Sequence, residues 1–294
     1  MHKSLTSHPP TLPPSLPSQQ EHCCLVFERL GVSLYDFLKA HNYRPYPLYP
    51  HVRDFARQLL EALEFLHGMQ LIHTDLKPEN ILLCDNAVVA KGGEVGREGG
   101  KEGGGKKRVV EVPASTQVKV IDFGGATYDD DARKSTTINT RQYRGPEVIL
   151  EVGWSYPSDL WSAGCIIAEL YTGDVLFATH NNMEHLALIE RCLGPFPREM
   201  LEKSPEGVAD KFFDLVSAEG KGKGRCRWRE ELDAASQRHV RRMPWLEEVF
   251  EKDKESGIIE LVRGLLEIDP RKRLTATQAL ALPFFREGTP AVVR

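Results

Sequence analysis

The amino-acid sequence predicts a mixed α+β fold that is mainly helical and carries a few short strands. Three observations support this prediction. Apolar residues recur at three- and four-residue steps in several segments, which is the spacing of one helix face. Short β-prone runs occur near residues 25, 81 and 118. Hydrophobic residues make up 41% of the 294-residue chain and charged residues 27%, as in ordinary globular proteins.

The composition excludes several classes of protein. No run approaches the roughly 18 apolar residues of a membrane helix, so we predict no membrane partner. A formal net charge of -4 gives no overall basic bias toward nucleic acid. None of the six cysteines form a Cys-x-x-Cys pair, and no zinc-ligand spacing occurs. The cysteine pattern favours a reducing compartment such as the cytosol or the nucleus. The length allows one large domain or two modest ones.

The first forty residues are predicted to form a leader, a strand and a helix. Residues 1–20 hold five prolines and four serines, which predicts a flexible leader, although an artefact of where the chain starts explains them equally well. Residues 23–27 form a continuous apolar run, Cys-Cys-Leu-Val-Phe, that suits a buried strand. Ser33 is the predicted cap of a short helix that ends at Ala40.

A long helix and a hairpin are predicted next. The apolar spacing indicates a helix from His51 to His67, and Ile81–Leu83 and Val118–Ile121 are predicted strands. These strands flank an insert at about 85–117. Eight of the fourteen residues from 92 to 105 are glycine, so we expect the insert to be disordered. A phosphate-cradling role is the weaker alternative, because the segment has no Gly-x-Gly-x-x-Gly spacing.

The second half of the chain is predicted to be helical. The segment Ser158–Thr172 is apolar nearly all round, which predicts a helix buried in the core. Four further helices are expected, at Met183–Leu193, Glu199–Lys203, Ile258–Leu266 and Ala276–Ala281.

The residues that carry chemistry lie in the loop before the hairpin and after its second strand. The loop offers a carboxylate at Asp75, a cation at Lys77 and an amide at Asn80, and the second strand runs into another carboxylate, Asp122. Carboxylate and amide oxygens suit the hard Mg²⁺ ion, and a separate carboxylate can orient a hydroxyl. A lysine ammonium can neutralise charge on a phosphoryl group. Each residue alone reads as an ordinary surface residue, but the joint pattern indicates a catalytic site.

Three segments together resemble the eukaryotic protein kinases. Residues 73–80 read His-Thr-Asp-Leu-Lys-Pro-Glu-Asn, residues 122–124 read Asp-Phe-Gly, and residues 145–147 read Gly-Pro-Glu in place of that family's Ala-Pro-Glu. The resemblance implies a protein kinase-like fold, of which this chain forms a short hinge strand, a small β-hairpin and the helical C-lobe. It also implies that Asp159 bonds the backbone of the catalytic loop and that Arg273 pairs with Glu147.

Two further segments resemble the LAMMER, or cdc-like, dual-specificity kinases. Residues 184–195 read Glu-His-Leu-Ala-Leu-Ile-Glu-Arg-Cys-Leu-Gly-Pro, with Leu188 and Ile189 where that family has two methionines. This swap conserves apolar volume, so we expect its effect to be mild. Residues 136–144 are similar to the substrate-facing loop of that family. Thr74 replaces the usual arginine, which predicts that the activation segment, residues 122–147, is ordered without phosphorylation.

The resemblance implies an enzyme that transfers the γ-phosphoryl group of ATP to serine or threonine, and to tyrosine in autophosphorylation, with ATP and Mg²⁺ as cofactors. Asp75 would accept or orient the substrate hydroxyl proton, and Lys77 would stabilise the transferring phosphoryl group. Asn80 and Asp122 would bind Mg²⁺. The residues expected around the nucleotide and its metal are Phe27, Glu28, Leu30, Asn80, Leu82 and Asp122.

The resemblance covers a hinge and C-lobe at residues 21–286 and leaves a tail at 287–294. Only 24 residues precede Leu25, and they contain no glycine and a single lysine, Lys3. They therefore supply no glycine-rich loop and no strand lysine of a smaller lobe. Two explanations stand: a truncated or misassembled kinase, or a lobe-less, inactive kinase-like module that docks substrates or partners. We expect little or no kinase activity from the chain as given.

Partners and location rest on the resemblance alone. It implies protein substrates, with Arg/Ser-rich splicing factors as a candidate class, a monomeric state, and a nuclear location with the cytoplasm as the alternative. A basic run at Lys221–Arg229, followed by Arg238, Arg241 and Arg242, fits a solvated surface. Its alternative role is the steering of phosphorylated or Arg/Ser-rich substrates.

Overall fold

The computed structural model describes residues 24–93, 108–214 and 225–286. Within those ranges the chain forms eleven α-helices and eight short strands. The helices are α1 Leu34–Ala40, α2 Arg53–Gly68, α3 Pro146–Ile149, α4 Pro157–Thr172, α5 Asn182–Leu193, α6 Arg198–Leu201, α7 Trp228–Glu231, α8 Ala234–Arg242, α9 Leu246–Val249, α10 Ile258–Leu265 and α11 Ala276–Leu280. The strands are β1 Leu71–Ile72, β2 Ile81–Leu83, β3 Val88–Gly93, β4 Arg108–Pro113, β5 Val118–Val120, β6 Thr127–Tyr128, β7 Phe213–Asp214 and β8 Arg225–Cys226.

The described strands pair into four small antiparallel sheets of two strands each. Strand β1 pairs with β6, β2 with β5, β3 with β4, and β7 with β8. In the second sheet Ile81 faces Val120 and Leu83 faces Val118, as expected for strands that flank the insert. Sheets this small cannot enclose a core by themselves, so the core of the described chain lies among the helices.

Helix α4 forms the centre of that core. Every residue from Ser158 to Leu170 is buried, which confirms the prediction from its all-round apolar character. Helices α2 and α10 pack against it. A Cβ atom at Gly164 would lie 2.8 Å from Leu266 Cδ2, so the absence of a side chain lets α4 and the end of α10 approach this closely.

The other predicted helices are confirmed at similar bounds. Ser33 caps α1, because its Oγ accepts a hydrogen bond from the Asp36 amide at 3.0 Å. Helix α2 begins shortly after His51 and ends at Gly68. Helices α5, α6, α10 and α11 occupy the four segments predicted after α4.

The predicted buried strand at residues 23–27 is wrong for the part that the structure describes. Leu25, Val26 and Phe27 are 77%, 97% and 80% exposed and lie outside the strands. A strand needs a neighbour to satisfy its backbone groups, and no described strand lies beside this segment. Backbone pairing begins later, at Gly31, whose amide donates to a carbonyl oxygen of β2 at 2.7 Å.

The expected disorder of residues 85–117 is wrong for the two arms of this insert. Strands β3 and β4 pair along six residues each, in a ladder rich in valine, and Val112 is buried. The base of the hairpin is bonded to α2, where Gln58 Nε2 donates to the Thr116 carbonyl oxygen at 2.7 Å. The arms are thus ordered by pairing and by docking on a core helix. The glycine-rich residues 94–107 lie outside the described residues.

Several predicted features also lie outside the described residues: the leader at 1–20, the tail at 287–294 and residues 221–224 of the basic run. None of the helices in the described ranges has the length and apolar character needed to cross a membrane.

Candidate active site

A buried carboxylate at the start of α4 holds the catalytic loop, residues 73–80. Asp159 Oδ2 accepts a hydrogen bond from the His73 amide at 2.8 Å, and Oδ1 accepts one from the Thr74 amide at 3.0 Å. His67 Nε2 lies 3.1 Å from Oδ2. Asp159 is fully buried, and a buried carboxylate is tolerated when such donors surround it. The predicted bond between Asp159 and the catalytic-loop backbone is therefore confirmed.

The His73 ring joins the two halves of the site. The Asp75 amide donates to His73 Nδ1 at 3.3 Å. A ring nitrogen that accepts leaves the proton on the other nitrogen, so Nε2 donates to the Ile121 carbonyl oxygen at 3.0 Å. One imidazole thus links the loop that carries Asp75 to the strand end that carries Asp122.

Asp75 lies between a cation and a threonine. Lys77 Nζ donates to Asp75 Oδ2 at 2.7 Å, while Thr140 donates to Oδ1 from its amide at 3.1 Å and from its hydroxyl at 2.7 Å. Burial raises the pKa of the Asp75 carboxyl, but the bonds from Lys77 and Thr140 outweigh burial and hold the pKa below its ordinary value. The Asp75 side chain keeps 32% of its surface exposed, so a substrate hydroxyl can reach it.

The Lys77 ammonium lies within electrostatic range of the Asp122 carboxylate. The hydrogen bond to Asp75 raises the pKa of the Lys77 ammonium, and the carboxylates of Glu79 and Asp122 add to this effect. The ammonium is therefore charged at neutral pH, within electrostatic range of both aspartates. The structure thus pairs Asp75 with Lys77 and places Asp122 close enough for its charge to act on the Lys77 ammonium.

Asn80 and Asp122 offer oxygens that suit a metal ion. Asn80 Nδ2 donates to the Asp75 carbonyl oxygen at 2.9 Å, and no donor in the described part of the chain bonds its Oδ1. Asp122 is exposed, and its carboxylate accepts a long hydrogen bond of 3.4 Å from the Gly124 amide. The described residues contain no group of three His, Cys, Asp or Glu side chains that could hold an ion. Mg²⁺ usually keeps phosphate and water ligands, so these two residues fit Mg²⁺ carried by a nucleotide.

The residues expected around ATP are partly brought together. The chain just after Leu30 pairs with the strand that contains Leu82, and both leucines are half-buried. Phe27 is exposed, and Glu28 forms an ion pair with Lys119. The structure therefore places Leu30 and Leu82 on adjacent backbone segments and leaves Phe27 and Glu28 on solvent-exposed chain.

A pocket beside Asp75 contains acidic residues that the sequence analysis missed. It has a volume of about 560 Å³ and is lined by Thr140, Glu79 and Glu169, among others. Burial raises the pKa of the Glu169 carboxyl to about 7, although the Tyr143 hydroxyl donates to it at 2.6 Å. A glutamate inside a helix that is predicted to be buried was the available signal, because glutamate is rarely buried without a partner or a role.

Thr74 links the catalytic loop to both ends of the activation segment. Its Oγ1 donates to the Gly125 carbonyl oxygen at 2.8 Å, and its carbonyl oxygen accepts from the Asn139 amide at 2.8 Å. Thr74 has a φ of 70°, which is strained for a β-branched residue, so the surrounding bonds must hold it there. These contacts support the expectation that the activation segment is ordered without phosphorylation.

Glu147 and Arg273 form the predicted buried pair. Arg273 Nη1 and Nη2 donate to the two carboxylate oxygens of Glu147 at 2.6 and 3.0 Å, and both side chains are fully buried. Nη1 also donates to the Pro157 carbonyl oxygen at 2.7 Å. The pair therefore ties the end of the activation segment to the start of α4 and to the segment before α11.

The family model described as the protein kinase domain matches residues 15–285. The chain belongs to the protein kinase family. The match includes the loop around Asp75, the strand end at Asp122 and the buried pair of Glu147 and Arg273, so these features of the kinase chain lie inside the shared domain.

Curated relatives of this kinase chain include plant and animal enzymes. The chain is 45% identical over 276 residues to the serine/threonine-protein kinase AFC2 of Arabidopsis thaliana, covering 90% of this chain and 60% of AFC2. It is 44% identical over 267 residues to the dual specificity protein kinase CLK2 of Homo sapiens, covering 90% of this chain and 48% of CLK2. The predicted resemblance to cdc-like kinases is confirmed. The chain spans about half of the length of CLK2 and three fifths of the length of AFC2.

A crystal structure of the kinase domain of PF14_0431 has the same fold. The TM-score is 0.76 at 35% sequence identity, and the match covers 88% of this chain and 72% of that chain. The predicted protein kinase-like fold is therefore confirmed. In this fold Leu188 and Ile189 of α5 are fully buried, so apolar replacements for methionine fill core positions, as expected.

Proposed function

We propose that this protein transfers the γ-phosphoryl group of ATP to serine or threonine hydroxyls of protein substrates, with tyrosine as a further acceptor. The observation that carries the proposal is the placement of Asp75, which has one oxygen on Lys77 and the other on Thr140, at the edge of a pocket. A carboxylate in this position can accept a hydrogen bond from an incoming hydroxyl. The adjacent ammonium can stabilise the phosphoryl group that the hydroxyl attacks.

Asp75 would orient the attacking hydroxyl. Its lowered pKa keeps the carboxyl ionised at neutral pH, so it can accept the hydroxyl proton as the new O–P bond forms. Lys77 and Thr140 hold the two carboxylate oxygens from opposite sides. The hydroxyl would therefore meet a carboxylate that needs no further reorganisation.

Asn80 and Asp122 would hold Mg²⁺ through the Asn80 Oδ1 and the Asp122 carboxylate. When bound with ATP, the ion would neutralise charge on the phosphate oxygens. The raised pKa of Lys77 keeps a second positive charge at the same place. Leu30 and Leu82 are the apolar side chains proposed to contact the adenine ring.

We further propose that the substrates contain arginine. Glu79 and Glu169 line the pocket next to Thr140, which itself contacts Asp75. A guanidinium group binds carboxylates through parallel charge-assisted hydrogen bonds, so an arginine near the acceptor serine fits this pocket. This supports Arg/Ser-rich proteins as the substrate class. A nuclear location and a monomeric state belong to the same proposal and rest on the resemblance to cdc-like kinases.

The test is phosphoryl transfer from radiolabelled ATP to an Arg/Ser-rich peptide in the presence of Mg²⁺. Two proteins are compared: the 294-residue chain, and the same residues fused behind a kinase small lobe with a glycine-rich loop and strand lysine. We expect transfer by the fusion. Asp75→Asn should lower kcat by about 10²–10⁴-fold with little change in KM for the peptide.

Glu61→Gln is the matched control, because Glu61 is an exposed residue on α2 outside the site. It should leave kcat unchanged. A fusion that folds and binds ATP but transfers no phosphate would contradict the proposal. That result would instead favour the alternative, in which the pocket docks substrates or partners without catalysis.

A further inference from the structure

Asn139 is a buried polar residue in the activation segment, directly before Thr140. It is 7% exposed and has a φ of 61°, in the left-handed region. Asparagine tolerates this conformation better than most residues, but still at a cost. A buried amide in a left-handed backbone therefore needs compensating contacts.

The side chain of Asn139 bridges two serines of α4. Ser158 Oγ donates to Asn139 Oδ1 at 2.9 Å, and Asn139 Nδ2 donates to Ser162 Oγ at 3.2 Å. Ser162 Oγ in turn lies 2.8 Å from the Tyr143 carbonyl oxygen, to which it donates. All of these groups are buried, and a buried polar network is stable when each member has a partner. The side chain is thus fixed to the central helix of the core.

The backbone around Asn139 is fixed to the catalytic loop. The Asn139 amide donates to the Thr74 carbonyl oxygen at 2.8 Å, and its own carbonyl oxygen accepts from Arg144 Nη2 at 2.9 Å. The next residue, Thr140, donates its amide and its hydroxyl to Asp75 Oδ1. One residue therefore connects α4, the catalytic loop and the threonine that holds Asp75.

We propose that Asn139 is a positioning residue, whose side-chain bonds to α4 set the place of Thr140 and, through Thr140, the orientation of the Asp75 carboxylate. The inference rests on the proposed role of Asp75 in phosphoryl transfer. Without the Asn139 side chain, α4 no longer holds this part of the activation segment. The left-handed residue then becomes a pivot about which Thr140 can turn away from Asp75.

The test is amide hydrogen exchange and NMR of the 294-residue chain without nucleotide. Asn139→Gly keeps a residue that favours positive φ and removes the side chain. Asn42→Gly is the matched control, because Asn42 is an exposed asparagine with a φ of 56° far from the site in sequence. We expect exchange of the Thr140 amide to speed up about tenfold in Asn139→Gly, while Asn42→Gly leaves it unchanged. The Thr140 amide proton should also move upfield as its carboxylate acceptor is lost.

Ser158→Ala completes the test. If Ser158 and Asn139 act as one unit, the double variant should exchange no faster than Asn139→Gly alone. Unchanged exchange of the Thr140 amide in Asn139→Gly would overturn the inference, and so would an equal increase in Asn42→Gly. It would also be overturned if the effects of Asn139→Gly and Ser158→Ala on this exchange rate multiply in the double variant. Exchange needs no turnover, so failed phosphoryl transfer would refute the proposed function and leave this link standing.

Discussion

The Thr74 hydroxyl donates a hydrogen bond to the Gly125 carbonyl oxygen at 2.8 Å, at a position where protein kinases usually carry an arginine. An arginine there pairs with a phosphorylated residue of the activation segment. Thr74 instead bonds the segment directly. Its hydroxyl donates to Gly125 near the start of the segment, and its carbonyl oxygen accepts from the Asn139 amide near the end. These two bonds join the catalytic loop to the activation segment without a phosphate group.

Thr74→Val should loosen the activation segment, because valine keeps the branched shape and removes the hydroxyl donor. Loss of about 1 kcal/mol predicts a roughly fivefold faster deuterium uptake across residues 123–140. Thr277→Val removes an exposed hydroxyl bond to Glu64 and should leave this uptake unchanged. Phosphatase treatment of the wild-type chain should also leave it unchanged, and a rise on treatment would contradict the prediction.

Binding of an arginine-containing peptide should tighten as pH rises from about 6 to 8. Burial raises the pKa of Glu169 to about 7, so the carboxyl is largely protonated at the lower pH and ionised at the higher one. The positively charged peptide binds the ionised Glu169 carboxylate better than the protonated carboxyl. Affinity should therefore increase as the pH rises. Fluorescence anisotropy measures the affinity, and Glu169→Gln should weaken binding at pH 8 by at least about tenfold and remove most of the pH dependence.

Tyr143→Phe provides a second check on the same group. The Tyr143 hydroxyl donates to Glu169 and lowers its pKa, so its removal should move the midpoint of the binding curve to higher pH. A peptide with citrulline in place of arginine is the control for charge, and it should bind weakly at every pH. Equal pH dependence for both peptides would exclude Glu169 as the arginine partner.

Glu147→Gln should strongly destabilise the fold. It leaves the buried Arg273 guanidinium without its charge partner, and removal of one member of a buried pair costs about 3–5 kcal/mol. Urea denaturation measures the free energy of unfolding. Glu247→Gln, at an exposed ion pair with Arg263, is the matched control and should cost less than about 1 kcal/mol. Similar losses in both variants would contradict the assigned role of burial.

Gln58→Glu should weaken the attachment of the hairpin to α2, which also includes a bond from the Thr116 hydroxyl to Asp54. Gln58 Nε2 donates to the Thr116 carbonyl oxygen at 2.7 Å, and a glutamate at this position has no donor to offer. We expect a loss of about 1–3 kcal/mol in unfolding free energy, with faster amide exchange in β3 and β4. Gln117→Glu makes the same change at an exposed residue and should have little effect. Unchanged exchange in the hairpin of the Gln58 variant would show that other contacts hold it.

Local sequence signals located most helices, and they failed where a structure depends on distant partners. The spacing that predicted α2 and the apolar pattern that predicted α4 depend on residues within a few turns of each other. The run at residues 23–27 suits a strand, but a strand exists only with a neighbour to pair with. The whole insert at 85–117 was predicted to be disordered because of its overall glycine content. The overall composition does not show that the insert contains two valine-rich strands, β3 and β4, which are ordered by pairing with each other.

The sequence by itself determined which chemical groups the catalytic loop and the Asp-Phe-Gly segment carry, because motif spacing is a local property. Asp75, Lys77, Asn80 and Asp122 were all identifiable in this way. The tertiary structure alone decided that Thr140, 65 residues after Asp75, bonds its carboxylate, and that a buried Glu169 faces the pocket beside it. The physical reason is that hydrogen-bond partners and loss of water are set by segments far apart in the chain, and these two factors determine how a carboxyl group ionises.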